Sequence, residues 1–140
     1  MNRRKRKKLS RRLVDAALVG DLPGVRSALR AGAPAETADP AGSTPLYVAS
    51  VSGAADIVRV LLAAGARPDT ESGIGSEGTP LCGAACWGHT EAVRALLEHG
   101  ADPNLREDHG TGWAPLDWAS KGPYPETVDL LVTAGARPRD

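Results

Sequence analysis

Three side chains able to do chemistry fall within eight residues of one another: Cys82, Cys86 and His89. The i, i+4 spacing puts both thiols on one face of a helix, and a thiol beside an imidazole is the start of a nucleophile–base pair or a soft-metal site. Neither constellation is complete. A structural zinc site takes about four ligands in a tetrahedron, and the next candidates, His99 and His109, fall at another helix end and in a loop. A nucleophile also needs oxyanion stabilisers, and the neighbouring sequence supplies none. The stretch Gly73-Ile74-Gly75-Ser76-Glu77-Gly78 has the glycine spacing of a phosphate loop, but no lysine follows it and acids crowd it. No catalytic residue, metal or cofactor is expected, and the chain reads as a non-enzyme.

Composition bounds the other possibilities. Two cysteines in 140 residues form no disulfide framework, which fits a reducing compartment, and no run approaches the roughly 18 apolar residues of a membrane span. The expected location is cytoplasmic. Alanine, arginine and glycine are abundant and phenylalanine is absent, a composition typical of a GC-rich, bacterial genome. The net charge of zero conceals a split: the first twelve residues hold eight Lys and Arg and no acid, and the rest carries nine against all seventeen acids. Arg3, Arg4, Lys5, Arg6, Lys7 and Lys8 thus read as a flexible basic arm over residues 1–9, whose partner would be nucleic acid or another polyanion. A purely solubilising role is the plain alternative, and the arm could also fold back onto the acidic body.

Positioning elements come from a repeat. Thr44-Pro45-Leu46 returns as Thr79-Pro80-Leu81 and, altered, as Ala114-Pro115-Leu116, while Gly32-Ala33, Gly65-Ala66, Gly100-Ala101 and Gly135-Ala136 form a second ladder. A fixed period of this length marks a repeat array. Threonine before proline is a helix start, because the hydroxyl caps free amides and proline at the first position gives up an N–H that had no partner. Leu46, Ala49 and Ser50 share one face of a first helix, Gly53 ends it, and Ile57, Val58, Leu61 and Leu62 share one face of a second. The same plan recurs with Leu81, Ala84 and Ala85 before Gly88, and Val93, Leu96 and Leu97 after it. Leu13, Ala16, Ala17, Val25, Ala28 and Leu29 give a degenerate first unit. The expected domain spans residues 10–140, with units at about 10–36, 37–71, 72–106 and 107–138.

This pattern resembles the ankyrin repeat. The best match runs from Thr79 to Asn104 and includes Gly88-His89 and Gly100-Ala101-Asp102-Pro103-Asn104. The resemblance implies an all-α solenoid of stacked antiparallel helix pairs with projecting hairpin-like loops, and a non-catalytic adaptor, scaffold or inhibitor that captures a protein on its concave face and loop tips. A chain of this kind is expected to be a monomer on its own. Tyr47, Cys82 and Asp117 depart from the histidine that the family prefers in that slot, Ala114 replaces a capping threonine, and Pro123-Tyr124-Pro125 replaces the Gly-His break. The last unit should therefore fray first.

Family partner-contacting slots, carried over position by position, fall on Ser43, Val51 and Ser52 in the second unit. They fall on Glu77, Cys86 and Trp87 in the third, and on His109, Trp113, Trp118 and Lys121 in the fourth. Trp87 and Trp113 stand where the fold asks for nothing large, so they are the expected anchors. Trp118 occupies the slot of Val48 and Gly83, and its ring is expected over the gap that Gly83 leaves.

Overall fold

The computed structural model describes residues 1–139, and those residues form helices joined by loops, with no strand among them. Four helix pairs follow one another: α1 (Arg3–Val19) with α2 (Leu22–Arg30), α3 (Pro45–Ser52) with α4 (Ala55–Ala63), α5 (Pro80–Cys86) with α6 (Thr90–Glu98), and α8 (Pro115–Lys121) with α9 (Pro125–Thr133). Between the last two pairs, α7 (Glu107–Gly110) is a single turn at a loop tip, with Asp108 and His109 in left-handed geometry. The helices make two rows. In one, α1, α3, α5 and α8 pack side by side; in the other, α2, α4, α6 and α9 do the same.

Local chemistry sets each start and stop. Thr44 Oγ1 accepts the amide of Tyr47 at 3.3 Å, and Thr79 Oγ1 accepts that of Cys82 at 3.2 Å. Ala114 has no such oxygen. Asp117 answers from the other side of the turn, its Oδ2 accepting the Ala114 amide at 2.9 Å, which is half of a capping box. Gly53 and Gly88 end their helices at φ of 75° and 69°. Each also gives room to the following repeat: a side chain on Gly53 would strike the ring of His89, and one on Gly88 would strike that of Tyr124. Tyr124 therefore does the work of a break-position histidine, so the altered Pro-Tyr-Pro sequence keeps the repeat's packing.

Between the rows runs one apolar core. Leu13, Val25, Ile57, Leu61, Leu81, Val93, Leu96 and Leu131 are fully buried, one or more from every pair, and each large side chain contributes about 1.5–3 kcal/mol by leaving water. Small residues fill the contact between neighbouring first helices. Gly83 is one of them, and the space it leaves is taken by Val51 and Tyr47 of the preceding unit. The expectation that Trp118 covers this gap is thus corrected: the gap closes from the opposite side.

Residues 3–9 differ from the flexible arm expected. They are the first two turns of α1, capped by Asn2, whose Oδ1 accepts the Lys5 amide at 2.8 Å. Lysine and arginine are good helix formers, no glycine or proline intervenes before Gly20, and burial of Leu9 and Ser10 pins this turn to the body. The basic segment is thereby held as part of α1, which packs on α2 and α3, and Arg3, Arg6 and Lys7 face the first loop across a cleft.

Candidate functional site

Loops ahead of the first helices are narrow hairpins. The amide of Asp39 donates to the carbonyl of Ser43, that of Ser72 to Gly78, and that of Glu107 to Trp113, so each loop closes at its base. Adjacent loops are stitched together. Gly73 donates its amide to Gly42 at 2.8 Å, and Thr44 donates its amide to Ser72 Oγ at 2.9 Å. Glu77 takes both remaining hydroxyls, Ser72 Oγ at 2.7 Å and Ser43 Oγ at 3.0 Å. Ser43 and Glu77 are therefore bound to each other in the loop base.

A second ladder of bonds links the units at their other turns, and the sequence reading missed it. Glu36 accepts the Arg67 amide at 2.7 Å, Asp69 accepts the Asp102 amide at 3.0 Å, and Asn104 Oδ1 accepts the Arg137 amide at 2.9 Å. The acceptors all lie four residues after Gly32, Gly65 and Gly100, and each donor lies two after the next glycine of that series. Asn104 alone adds a donor bond, from Nδ2 to the Gly135 carbonyl at 3.0 Å. The signal was present as a polar residue at one repeated offset.

Cys82, Cys86 and His89 are given separate neighbours. Cys82 is fully buried with Sγ facing the carbonyl of Trp113 at 3.6 Å, and burial pushes its thiol far above the ordinary range. Cys86 lies half-buried, its thiol raised first by desolvation and then by the Glu107 charge, with Lys121 acting in the opposite sense. The His89 ring lies against Gly53. Among the described residues no cluster of three or more metal-ligating side chains occurs. A thiolate is the reactive form, so both cysteines are held in their least reactive state.

Aromatic residues of the fourth unit do converge. Trp113 and Trp118 lie with ring centroids 4.7 Å apart at a 53° tilt, and Lys121 Nζ stands 4.8 Å over the Trp113 ring. Trp118 donates its indole N–H to Glu107 Oε2 at 3.2 Å. Glu107 is shifted upward by desolvation, and the Trp118 bond partly offsets this. These four residues make one polar-edged aromatic cluster where the loop base meets α8. His109 is exposed at the tip, its amide facing Glu71 Oε1 at 3.3 Å.

Trp87 is different. It caps the end of α5 with 58% of its surface exposed, although a tryptophan in water forfeits a large apolar burial. The corresponding positions in the earlier units are Val19 and Ser52, and the preceding ones are Leu18, Val51 and Cys86. Leu18 and Val19 are also exposed, at 56% and 76%. The first-helix ends of the first and third units thus carry apolar side chains outward, whereas in the second unit Val51 is half-buried against Gly83 and Ser52 places its hydroxyl 3.5 Å from the Leu18 carbonyl. Ile74, at 86% exposure on a loop tip, is a further apolar residue facing water. Leu18, Val19 and Ile74 were not among the sequence candidates. The first two lie in the degenerate unit, which has no tripeptide to set the register, and Ile74 sits between glycines in a segment that drew notice only for phosphate-loop spacing.

A cleft of about 670 Å³ lies beside the start of α8, between Arg106, Asp117, Arg137 and Arg139. Arg139 closes across it, donating to the Gly112 carbonyl at 2.9 Å and pairing with Asp117 at 3.7 Å.

Stacked helix pairs and hydrogen-bonded hairpin loops define a helical repeat scaffold. Ankyrin repeats match the chain in three copies over residues 13–107 and 71–140, and the chain belongs to the ankyrin-repeat family. Proteins of this family generally bind other proteins and are typically non-enzymatic. No curated protein matches this chain. No helix among the described residues is long and apolar enough to cross a membrane.

Proposed function

We propose that this chain is a non-catalytic capture module for one protein partner. The surface used is the row of first-helix ends together with the aromatic cluster beside it. The observation that carries this reading is the exposure of Trp87 together with that of Val19 at the equivalent position of the first unit and of Leu18 beside it, where packing requires no large side chain. Exposed apolar residues scattered singly are ordinary, whereas aligned ones rimmed by polar groups mark interaction sites. Trp113 and Trp118 extend the row, and Ile74 offers a contact from the loop tips. Glu71, Glu107 and Asp108 supply an acidic border, so the partner presents an apolar segment flanked by basic side chains, and these charges set its approach and register.

Affinity capture from nuclease-treated lysate tests the reading, with the intact chain compared with a Trp87→Ala/Trp113→Ala variant. A protein retained at high salt should be lost from the variant while helical content is kept, each anchor contributing about 2 kcal/mol or more. Retention of the same protein by a folded variant would refute the assignment.

A further inference from the structure

A cleft of about 220 Å³ opens between the first turns of α1 and the first loop, lined by Arg3, Arg6, Lys7 and Ser10 on one side and Thr37, Ala38, Asp39 and Pro40 on the other. Ser10 lines it, and Ser10 Oγ is the one buried side-chain polar atom among the described residues that lacks a hydrogen-bond partner, in a residue only 1% exposed. Such an atom is destabilising while it stays unpaired. Other buried serines are satisfied: Ser50 donates to the Leu46 carbonyl at 2.7 Å, and Ser72 donates to Glu77.

The repeat register shows what is missing. Ser10 precedes Leu13 by three residues as Ser43 precedes Leu46, and Ser43 gives its hydroxyl to the Glu77 carboxylate of the following loop. In the loop that follows Ser10, the position equivalent to Glu77 is Gly42. The hydroxyl of the first unit thus lacks the anionic oxygen that its counterpart has. Three cationic side chains line the same cleft, and among the described residues none of them is paired with a carboxylate within salt-bridge distance. Asp39 is the single acid present, and its Oδ1 already accepts the amides of Ala41 and Ser43, both at 3.0 Å. The charge balance stays positive.

We infer that this cleft is a binding site for one phosphate-class oxyanion, held by Arg3, Arg6 and Lys7 and accepting a hydrogen bond from Ser10. Guanidinium groups match the paired oxygens of a phosphate, and a charge-assisted hydroxyl bond is stronger than a neutral one. A volume several times that of a water molecule holds the ion with its near hydration. None of these residues belongs to the tryptophan surface, so the two readings fail separately.

The test uses the full chain and follows backbone amide shifts and thermal stability on titration with sodium phosphate, against sodium chloride at equal ionic strength. Ser10→Ala is safe for folding, because alanine is the better helix former and removes the unpaired oxygen. Two charge variants separate a defined site from general attraction: Arg3→Gln/Arg6→Gln/Lys7→Gln, and Arg4→Gln/Lys8→Gln/Arg11→Gln on the adjoining face. Saturable binding is expected, weakened about tenfold or more by Ser10→Ala and by the first triple variant, and less than about twofold by the second. Phosphoserine in place of phosphate assigns the source: tighter binding than the free ion means a phosphorylated side chain, and equal binding means the ion itself. Equal weakening by both triple variants, unchanged binding by Ser10→Ala, or a linear unsaturated response would each overturn the site.

Discussion

Asn104 shows how much a single side chain can link. It joins the third unit to the fourth through two bonds, to the Arg137 amide and the Gly135 carbonyl. Asn104→Ala should destabilise the chain by about 1–2 kcal/mol in urea melts, more than Glu36→Ala, which loses one bond. Cys82 gives a second, pH-dependent expectation. Its folded thiol is pushed above the ordinary value of about 8.5, and Tyr47 is raised to about 12, mainly by burial. Above about pH 8.5 the unfolded chain releases protons that the folded chain keeps, so stability is present below that pH and falls as pH rises. Cys82→Ala should flatten the fall between about pH 8.5 and 10, and a thiol reagent should label Cys86 well before Cys82 in the folded protein. The exposure of Trp87 was legible beforehand, because its slot asks for nothing large. Trp118 was harder to place, since its ring position depends on whether Gly83 is covered by its own row's Tyr47 and Val51 or by the next unit, and a sequence offset carries no such direction.

At the level of elements, the helix starts explain what the repeat tolerates. Asp117 accepts the Ala114 amide, but alanine returns nothing, and the Asp117 amide turns to the Ala114 carbonyl at 3.1 Å. Ala114→Thr should complete the reciprocal pair and raise stability by about 1 kcal/mol, seen as a higher urea midpoint with an unchanged slope. In the last pair, α9 buries only Thr127 and Leu131. Hydrogen exchange in α8 and α9 should therefore run faster than in α5 and α6, and equal protection would mean that the array opens as one unit. Helix positions could be read from sequence because proline, threonine and glycine mark them chemically. The helical state of residues 3–9 could not, since a run of like charges is compatible with coil, and what decides is the Asn2 cap and the burial of Leu9 and Ser10. The interlocked loops were equally hidden: their bonds cross from one unit to the next, and a period reports what recurs within a unit.

Across the whole molecule, charge and apolar exposure occupy different regions. The basic turns of α1 begin the array, while the acids Glu71, Glu107 and Asp108 border the aromatic cluster near its other end. The account predicts where the row of first-helix ends is covered. The most direct test of the proposed capture role is amide exchange on the chain with the partner isolated on it, compared with the free chain. Protection should concentrate at residues 18–19, 51–52, 86–87 and 111–121, with lesser protection at 73–75. Protection confined to α2, α4, α6 and α9, with the tryptophan segments unchanged, would contradict it and move the interface to the opposite row.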